Sequence, residues 1–366
     1  MHYKNYMKQE ACNEGGIEMQ NFNLAIVGFG GMGNAHHERI KNVENLTVAG
    51  VYDIKEERQE FARQKGLKAY ESFEAILDDP NIDIVLVATP NDSHKDITIR
   101  SLRAGKHVIC EKPVALNSSE LEEMIATAKE CNKLFVVHQN RRWDEDFLTI
   151  KKIYDENILG DVYRIESRVH GSRGIPGDWR QKKEHGGGMV LDWGVHILDQ
   201  IVLIIQEKIK RVYCQLDHVT NYEVDDGFRI ILTFESGKTA LLEVGTSNFI
   251  NLPRWYMLGE NGTAVIEDWN LNGKIVKVKS RDEGDVVPVV TAAGVTKTMA
   301  PRRPDTIHEE ELPKQTADVR DFYRNVMNTI LGKEEIIVKN EQVMRIMKLM
   351  EAAFKSAELD QVVDFE

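Results

Sequence analysis

The stretch Asn23-Leu24-Ala25-Ile26-Val27-Gly28-Phe29-Gly30-Gly31-Met32-Gly33-Asn34 decides the fold. Leu24 to Val27 read as a buried strand, and a glycine turn follows at once. His36 to Asn42 belong to a helix, so the glycines stand at a strand-to-helix junction in G-x-G-x-x-G spacing. Asp53 ends the next predicted strand, Leu46 to Tyr52, 20 residues beyond Gly33. Glycines permit a tight turn and close backbone approach, a helix N-terminus attracts a pyrophosphate, and a strand-end carboxylate accepts from ribose hydroxyls. The stretch therefore predicts a dinucleotide site at Gly28, Phe29, Gly30, Gly31, Met32, Gly33, Asp53 and Ile54. The Asp53 carboxylate repels a 2′-phosphate, so NAD is expected over NADP, with Lys55 softening the preference.

Outward from this unit, short apolar runs alternate with helical ones. Lys55 to Lys65 is a charged helix stopped by Gly66, Ile82 to Ala88 a third strand, and His107 to Cys110 a fourth. Ser93 is placed to cap the helix ending before Gly105, and Ser119-Glu120-Leu121-Glu122 offers a capping box for a helix over Ser118 to Cys131. Leu134 to Val137 is a fifth strand. This is the grammar of a doubly wound parallel sheet in an α/β protein. After Asp144 it changes. A helix through Asp155 leads to alternating strands near Val162 to His170, Arg211 to Val219, Gly227 to Phe234, Lys238 to Thr246, Trp255 to Gly259 and Thr263 to Glu267. Hairpin turns at Glu235 to Lys238 and Gly259 to Gly262 predict an open, mostly antiparallel (mixed) sheet. The expected organisation is an extension over 1–21, a Rossmann domain over 22–144 and a second α/β domain over 145–366. Arg281 to Pro313 reads as a long loop or ribbon, and Thr316 to Gly332 and Glu341 to Ala357 as closing helices.

The 366 residues suit about two domains, and 42% hydrophobic with 29% charged residues is an ordinary globular composition. A net charge of −12 without a long basic run disfavours a bulk grip on nucleic acid or an anionic membrane. Cys12, Cys110, Cys131 and Cys214 show no CxxC spacing, which argues against a disulfide framework or a structural zinc site and fits a reducing cytoplasm. The apolar run Ile197 to Ile205 is too short to span a bilayer. Residues 1–18 lack the apolar core of a signal peptide. Glu14-Gly15-Gly16 can be encoded by a purine-rich ribosome-binding sequence with Met19 at a suitable spacing, so the natural start is either Met19 or Met1 with a disordered tail. N-terminal sequencing of native protein decides between them.

Two further strand ends carry polar residues at the edge where doubly wound sheets bind ligands: Ala88-Thr89-Pro90-Asn91 with His94, and Cys110-Glu111-Lys112-Pro113, where a cis bond is allowed. A lysine there is either a solvated charge or a group beside the nicotinamide. Met189 to Ile205 is apolar almost all round and is expected to be a buried helix. Asp192 and His196 lie i,i+4 on one face of it, either as a satisfied core pair or as an acid-base pair. No third ligand at metal spacing is evident, so no metal is expected.

In order and spacing, Gly28 to Gly33, Ala88 to Asn91 with His94, Glu111-Lys112-Pro113 and Gly186-Gly187-Gly188 with Asp192-x-x-x-His196 resemble the glucose-fructose oxidoreductase/inositol dehydrogenase/MocA family. The resemblance runs from about Asn21 to the C-terminus. It implies a Rossmann domain followed by an open mixed sheet that covers the nicotinamide and often mediates homo-oligomers. It also implies hydride transfer between NAD(P) and a secondary hydroxyl of a sugar, polyol or glycoside. Lys112, Asp192 and His196 fall on the catalytic positions, and Thr89, Pro90, Asn91, His94, Glu111, Lys112 and Asn140 on the cofactor side. Gln139 to Asp144 matches a family segment, which makes Arg141 a substrate candidate, while Arg142 and Trp143 fit a domain-junction stack equally well. His170, Trp179 and Arg180 flank a turn-rich loop suited to meeting a sugar. Pro301-Arg302-Arg303-Pro304 departs from the simpler members. In chemical terms His196 is the preferred general base with Lys112 stabilising the developing alkoxide, the alternative being Lys112 itself as proton acceptor with its pKa lowered by cofactor charge and burial; Asp192 orients His196 or binds a neighbouring hydroxyl. The stretch Gly186 to His196 looks most like members oxidising C3 of glucosides, with inositol dehydrogenase the close rival and NAD either exchanged or recycled in place. A non-enzymatic dinucleotide sensor is the competing class, and a lyase or hydrolase using transient oxidation a third.

Overall fold

The structure is a computed structural model and describes residues 20–279, 289–297 and 302–366. The leader with its Met19 start, Cys12 and Pro301 lie outside the described residues.

The apolar runs form a five-stranded parallel sheet in the order β2-β1-β3-β4-β5. Its strands are β1 (Phe22–Val27), β2 (Leu46–Tyr52), β3 (Ile84–Val87), β4 (His107–Cys110) and β5 (Phe135–Val137). Helices α1 (Gly31–Ile40), α2 (Glu56–Gln64), α3 (Phe73–Leu77), α4 (His94–Arg103) and α5 (Ser118–Glu130) connect them. Residues of β3 are buried throughout, which is why this strand reads as an uninterrupted apolar run. Two predicted caps differ from the structure. Asn117, not Ser119, caps α5 by accepting from Glu120 N at 2.9 Å. Ser93 precedes α4, but its hydroxyl donates to Pro90 O and shares a hydrogen bond with Thr89 Oγ1, both at 2.7 Å.

Helix α6 (Glu145–Asp155) leads into a nine-stranded sheet whose first seven strands along the chain are β6 (Val162–His170), β7 (Ile209–Asp217), β8 (Gly227–Phe234), β9 (Thr239–Gly245), β10 (Trp255–Gly259), β11 (Gly262–Ile266) and β12 (Gly273–Val278). Among the described residues, β6 and β9 are its one parallel pair. Where the sequence reads a loop or ribbon, Val289–Val290 (β13) and Thr296–Lys297 (β14) form a short ribbon, and Ile307–Glu310 (β15) adds an edge strand to β12. The buried segment is one π-helical turn, Val190–Gly194, running into α7 (Val195–Ile204), rather than one continuous α-helix. Lys183–Ile204 is long and apolar enough by composition to cross a membrane, but 78% of its most apolar window is buried in the fold, so it is a core helix here. Helices α8 (Asp321–Ile330) and α9 (Asn340–Leu359) close the chain before β16 (Val363–Asp364) pairs with β7. α9 serves both sheets. Asn340 Nδ2 donates to Phe135 O at 3.1 Å, Glu351 accepts from Ser118 N at 2.6 Å, and Ser356 Oγ accepts from Cys214 N at 3.0 Å.

Candidate active site

The glycine turn is shaped for a ligand at one end and for packing at the other. Gly28 has φ +91°, and a Cβ there would stand 2.6 Å from Ala88 O and 2.9 Å from Thr89 Cγ2. A Cβ on Gly33 would meet Gly28 O at 2.1 Å, so α1 can close on the turn only through glycine. At Gly30 and Gly31 an added Cβ meets nothing within 4 Å, which leaves open space over the start of a ten-residue helix. Such a start presents unpaired N–H groups, the property a pyrophosphate needs. Asp53 faces this turn, its carboxylate accepting from Phe29 N at 2.7 Å and Lys55 N at 2.9 Å. The Phe29 side chain packs inside against His37 and Phe61, and Ile54 is largely exposed.

At the ends of β3 and β4 several predicted cofactor residues hold the scaffold. His94 is fully buried, with its ring nitrogens 3.0 Å from Pro113 O and 2.9 Å from Thr89 O. It ties the two strand ends together and does not face the cleft. Asn91 is buried and donates to Gly186 O at 3.0 Å, joining the first domain to the glycine run of the second. The Lys112–Pro113 bond is cis. Glu111 turns away from the cleft, Oε1 bonding to His36 Nε2 and His138 Nδ1 at 2.7 Å each and Oε2 accepting from Lys112 N at 3.1 Å. His36 Nδ1 in turn meets the Tyr323 hydroxyl at 2.6 Å. Burial alone would raise the Glu111 carboxyl, yet the two imidazoles hold it well below its ordinary value. Burial, followed by His138, takes His36 down to about 4. His36, Glu111 and His138 are metal-ligand types with ligand atoms within 4.8 Å of one another, a grouping that sequence spacing does not show. Their 2.7 Å separations are those of hydrogen bonds.

Lys112 points the other way. Its Nζ donates to Asp192 O and Asp192 Oδ1, both at 3.0 Å, and Arg180 Nε donates to Asp192 Oδ2 at 3.1 Å. Burial pushes the Asp192 carboxyl up, but the Lys112 and Arg180 charges outweigh it and leave it below its ordinary value. Both carboxylate oxygens are thus engaged by cations, and among the described residues Asp192 makes no ion pair with His196. The expected orienting contact is absent: Asp192 sits inside the π turn and His196 in α7 beyond it, and the carboxylate is taken by Lys112 and Arg180 instead. His196 packs edge-on against Trp193 at 5.8 Å, and its Nδ1 is buried without a hydrogen-bond partner. Burial first, then the charges of Lys112 and Arg141, hold its imidazole well below its ordinary value, so it is neutral near pH 7.

Arg141 completes this corner, stacking over Trp193 at 4.1 Å and pairing with Asp144 at 2.8 Å. Asn140 Oδ1 is buried and unpartnered. Arg142 proves structural, gripping Asp199 of α7 through Nε at 2.8 Å and Nη2 at 2.7 Å. Trp179 stacks on Arg180 at 4.6 Å and lines an open groove with Tyr222. His170 is not at the site. Its Nε2 meets Glu243 at 3.2 Å and its Nδ1 accepts from Leu252 N at 3.2 Å. The alternation of β6 puts Ser167 on the α7 side, through Arg254 to Gln200, and so His170 on the other.

A glycine-turn Rossmann domain that carries a lysine at its ligand-binding edge, joined to a second domain whose buried helix brings an aspartate and a histidine to meet it, defines a nicotinamide-dependent oxidoreductase architecture. Residues 22–139 match the model of the oxidoreductase family with an NAD-binding Rossmann fold, and residues 147–265 match the GFO/IDH/MocA C-terminal domain. The chain belongs to this Gfo/Idh/MocA oxidoreductase family. It is 31% identical over 335 residues to an oxidoreductase of Schizosaccharomyces pombe, covering 84% of this chain and 90% of that one. It is 26% identical over 359 residues to the scyllo-inositol 2-dehydrogenase (NADP(+)) of Bacillus subtilis, covering 96% and 98%. An NAD-binding protein from Listeria innocua superposes with a TM-score of 0.86 at 48% identity, covering 94% of this chain and 97% of that one.

Proposed function

We propose that the protein transfers hydride between NAD and a secondary hydroxyl of a sugar, glycoside or polyol, in its narrowest form at C3 of a glucoside. The observation that carries this is the meeting of Lys112, from the end of β4, with Asp192, from the π turn of the second domain, beside a neutral His196. Gly30, Gly31 and the start of α1 would hold the pyrophosphate, Asp53 the ribose, and Asn140 the nicotinamide side. The bound dinucleotide supplies the hydride acceptor or donor.

The chain's own groups handle the proton. His196, neutral and with Nδ1 unpartnered, takes the hydroxyl proton as the carbinol carbon loses hydride. Lys112 has three N–H donors, and two are directed at Asp192. The third donates to the substrate oxygen and stabilises the charge that develops there. Asp192 and Arg180 fix the ammonium, and burial of the cluster excludes water.

NAD is favoured over NADP because the Asp53 carboxylate is fixed at the turn by two N–H groups, where a 2′-phosphate would meet a like charge. The Bacillus subtilis relative uses NADP(+) by name. Equilibrium titration with both dinucleotides checks this, and tighter NADP binding overturns it. A polyol reading, with an inositol as substrate, is favoured by the names of relatives from Bacillus subtilis and Thermotoga maritima. A cytoplasmic homo-oligomer is the form this reading expects, checked by light scattering of purified protein and by cell fractionation. Screening inositols, glucose, glucose phosphates and alkyl or aryl glucosides for reduced-nicotinamide formation tests the function, and no reduction with any of them sinks it.

A further inference from the structure

Trp269 stands on a turn between β11 and β12 and is 49% exposed, at the lip of the corner that holds His196. Its ring lies 6.1 Å from Trp193, whose ring lies 5.8 Å from His196, so an aromatic path of two steps runs from the proposed base to the surface.

The turn is built to keep the indole in place. Asp268 accepts from Asn270 N at 2.9 Å and from Asn272 Nδ2 at 2.7 Å, while Leu271 adopts φ +60° and buries its side chain. Two guanidinium groups hold the ring, Arg254 at 4.8 Å and Arg141 at 5.5 Å from its centroid. Arg254 is itself fixed in the interior, its Nε 3.0 Å from Asp146 Oδ2. An ordered tryptophan with half its surface open is a ready platform, because its position is fixed before anything binds. Ring-shaped ligands with a C–H face and equatorial hydroxyls stack on such a surface, and polar groups at the rim take the hydroxyls.

Resting on the proposed hydride transfer to a sugar hydroxyl, we infer that Trp269 and Trp193 form a subsite for a second ring, so that the substrate is a glycoside whose distal ring stacks on Trp269 while the proximal ring meets Lys112 and His196. A free polyol reaches only the inner part of this path. Trp269 is then a specificity-determining residue.

The test compares methyl glucoside with a glucosyl-glucose disaccharide, in both anomeric forms, on the NAD-loaded full chain of wild type, Trp269→Ala and Trp269→Phe. The ratio of kcat/KM for disaccharide over methyl glucoside should fall about tenfold in Trp269→Ala, mainly through KM, and stay near wild type in Trp269→Phe. An unchanged ratio in Trp269→Ala overturns the subsite. If neither sugar is oxidised, only the glucoside form of the hydride-transfer reading fails, and calorimetric titration of the disaccharide then decides the subsite. Saturable binding weakened about tenfold in Trp269→Ala upholds the platform. Absence of binding to wild type overturns it.

Discussion

Replacing Arg142 by methionine removes the clamp that sets the cleft's two walls against each other. Arg142 follows Asn140 and Arg141, and its guanidinium holds Asp199 of α7 in a two-pronged pair, with side-chain exposures of 5% and 4%. Its Nη1 also donates to Gln342 Oε1 at 2.8 Å and Ile337 O at 3.1 Å, reaching the start of α9. Methionine fills much of the same volume but leaves the Asp199 carboxylate buried without its cation. Breaking a buried pair in this way costs about 3–5 kcal/mol, a large share of the roughly 5–15 kcal/mol that holds a typical domain together. The denaturation midpoint in urea should fall accordingly. Arg142→Met/Asp199→Leu should recover at least half of the loss, because no charge is then stranded. Where the single variant stays folded, activity should drop as well, since Arg141 and His196 lose their shared anchor. A loss under about 1 kcal/mol, or a double variant worse than the sum of the singles, would refute the reasoning.

Two other outcomes follow from the geometry. Gly30→Ala should leave the thermal midpoint within a degree or so, since its Cβ meets no protein atom, yet weaken dinucleotide binding about tenfold or more; wild-type affinity would place the pyrophosphate elsewhere. His107 Nδ1 accepts from Leu134 N at 3.0 Å, and burial followed by Lys133 lowers its imidazole to about 4. The unfolded chain binds that proton near pH 6.5 and the folded chain does not until about pH 4, so acidification across this window favours unfolding. His107→Asn should remove up to about 3 kcal/mol of that acid sensitivity between pH 6.5 and 4, read from denaturation midpoints, and an unchanged pH profile contradicts it.

The first sheet is legible because strands buried on both faces must be apolar along their whole length, as Leu24 to Val27 and Ile84 to Val87 are. The caps are less legible. Asn117, Ser118 and Ser119 are all competent, and tertiary contacts, with Ser118 bound to Glu351, select the first. The π turn at Val190–Gly194 leaves no trace in a run that is apolar almost all round, with little phase to shift, so i,i+4 spacing suggests a contact between Asp192 and His196 that the structure does not make. His36, Glu111, His138 and Tyr323 meet only through the fold, across up to 287 positions of chain. Trp269 carries no motif, and only its stacking partners mark it. The outward face of His170 is written in the strand pattern. With Ile165, Ser167 and Val169 on the inner face, period two assigns it to the outer one.

The most direct test follows label from the carbinol carbon. With NAD and a substrate deuterated at the oxidised position, mass spectrometry of the recovered cofactor should show one deuterium per turnover. His196→Ala and Lys112→Ala should each slow its appearance by about a hundredfold or more. Unlabelled cofactor after product has formed, or near-normal transfer in both variants, would contradict hydride transfer at this cluster.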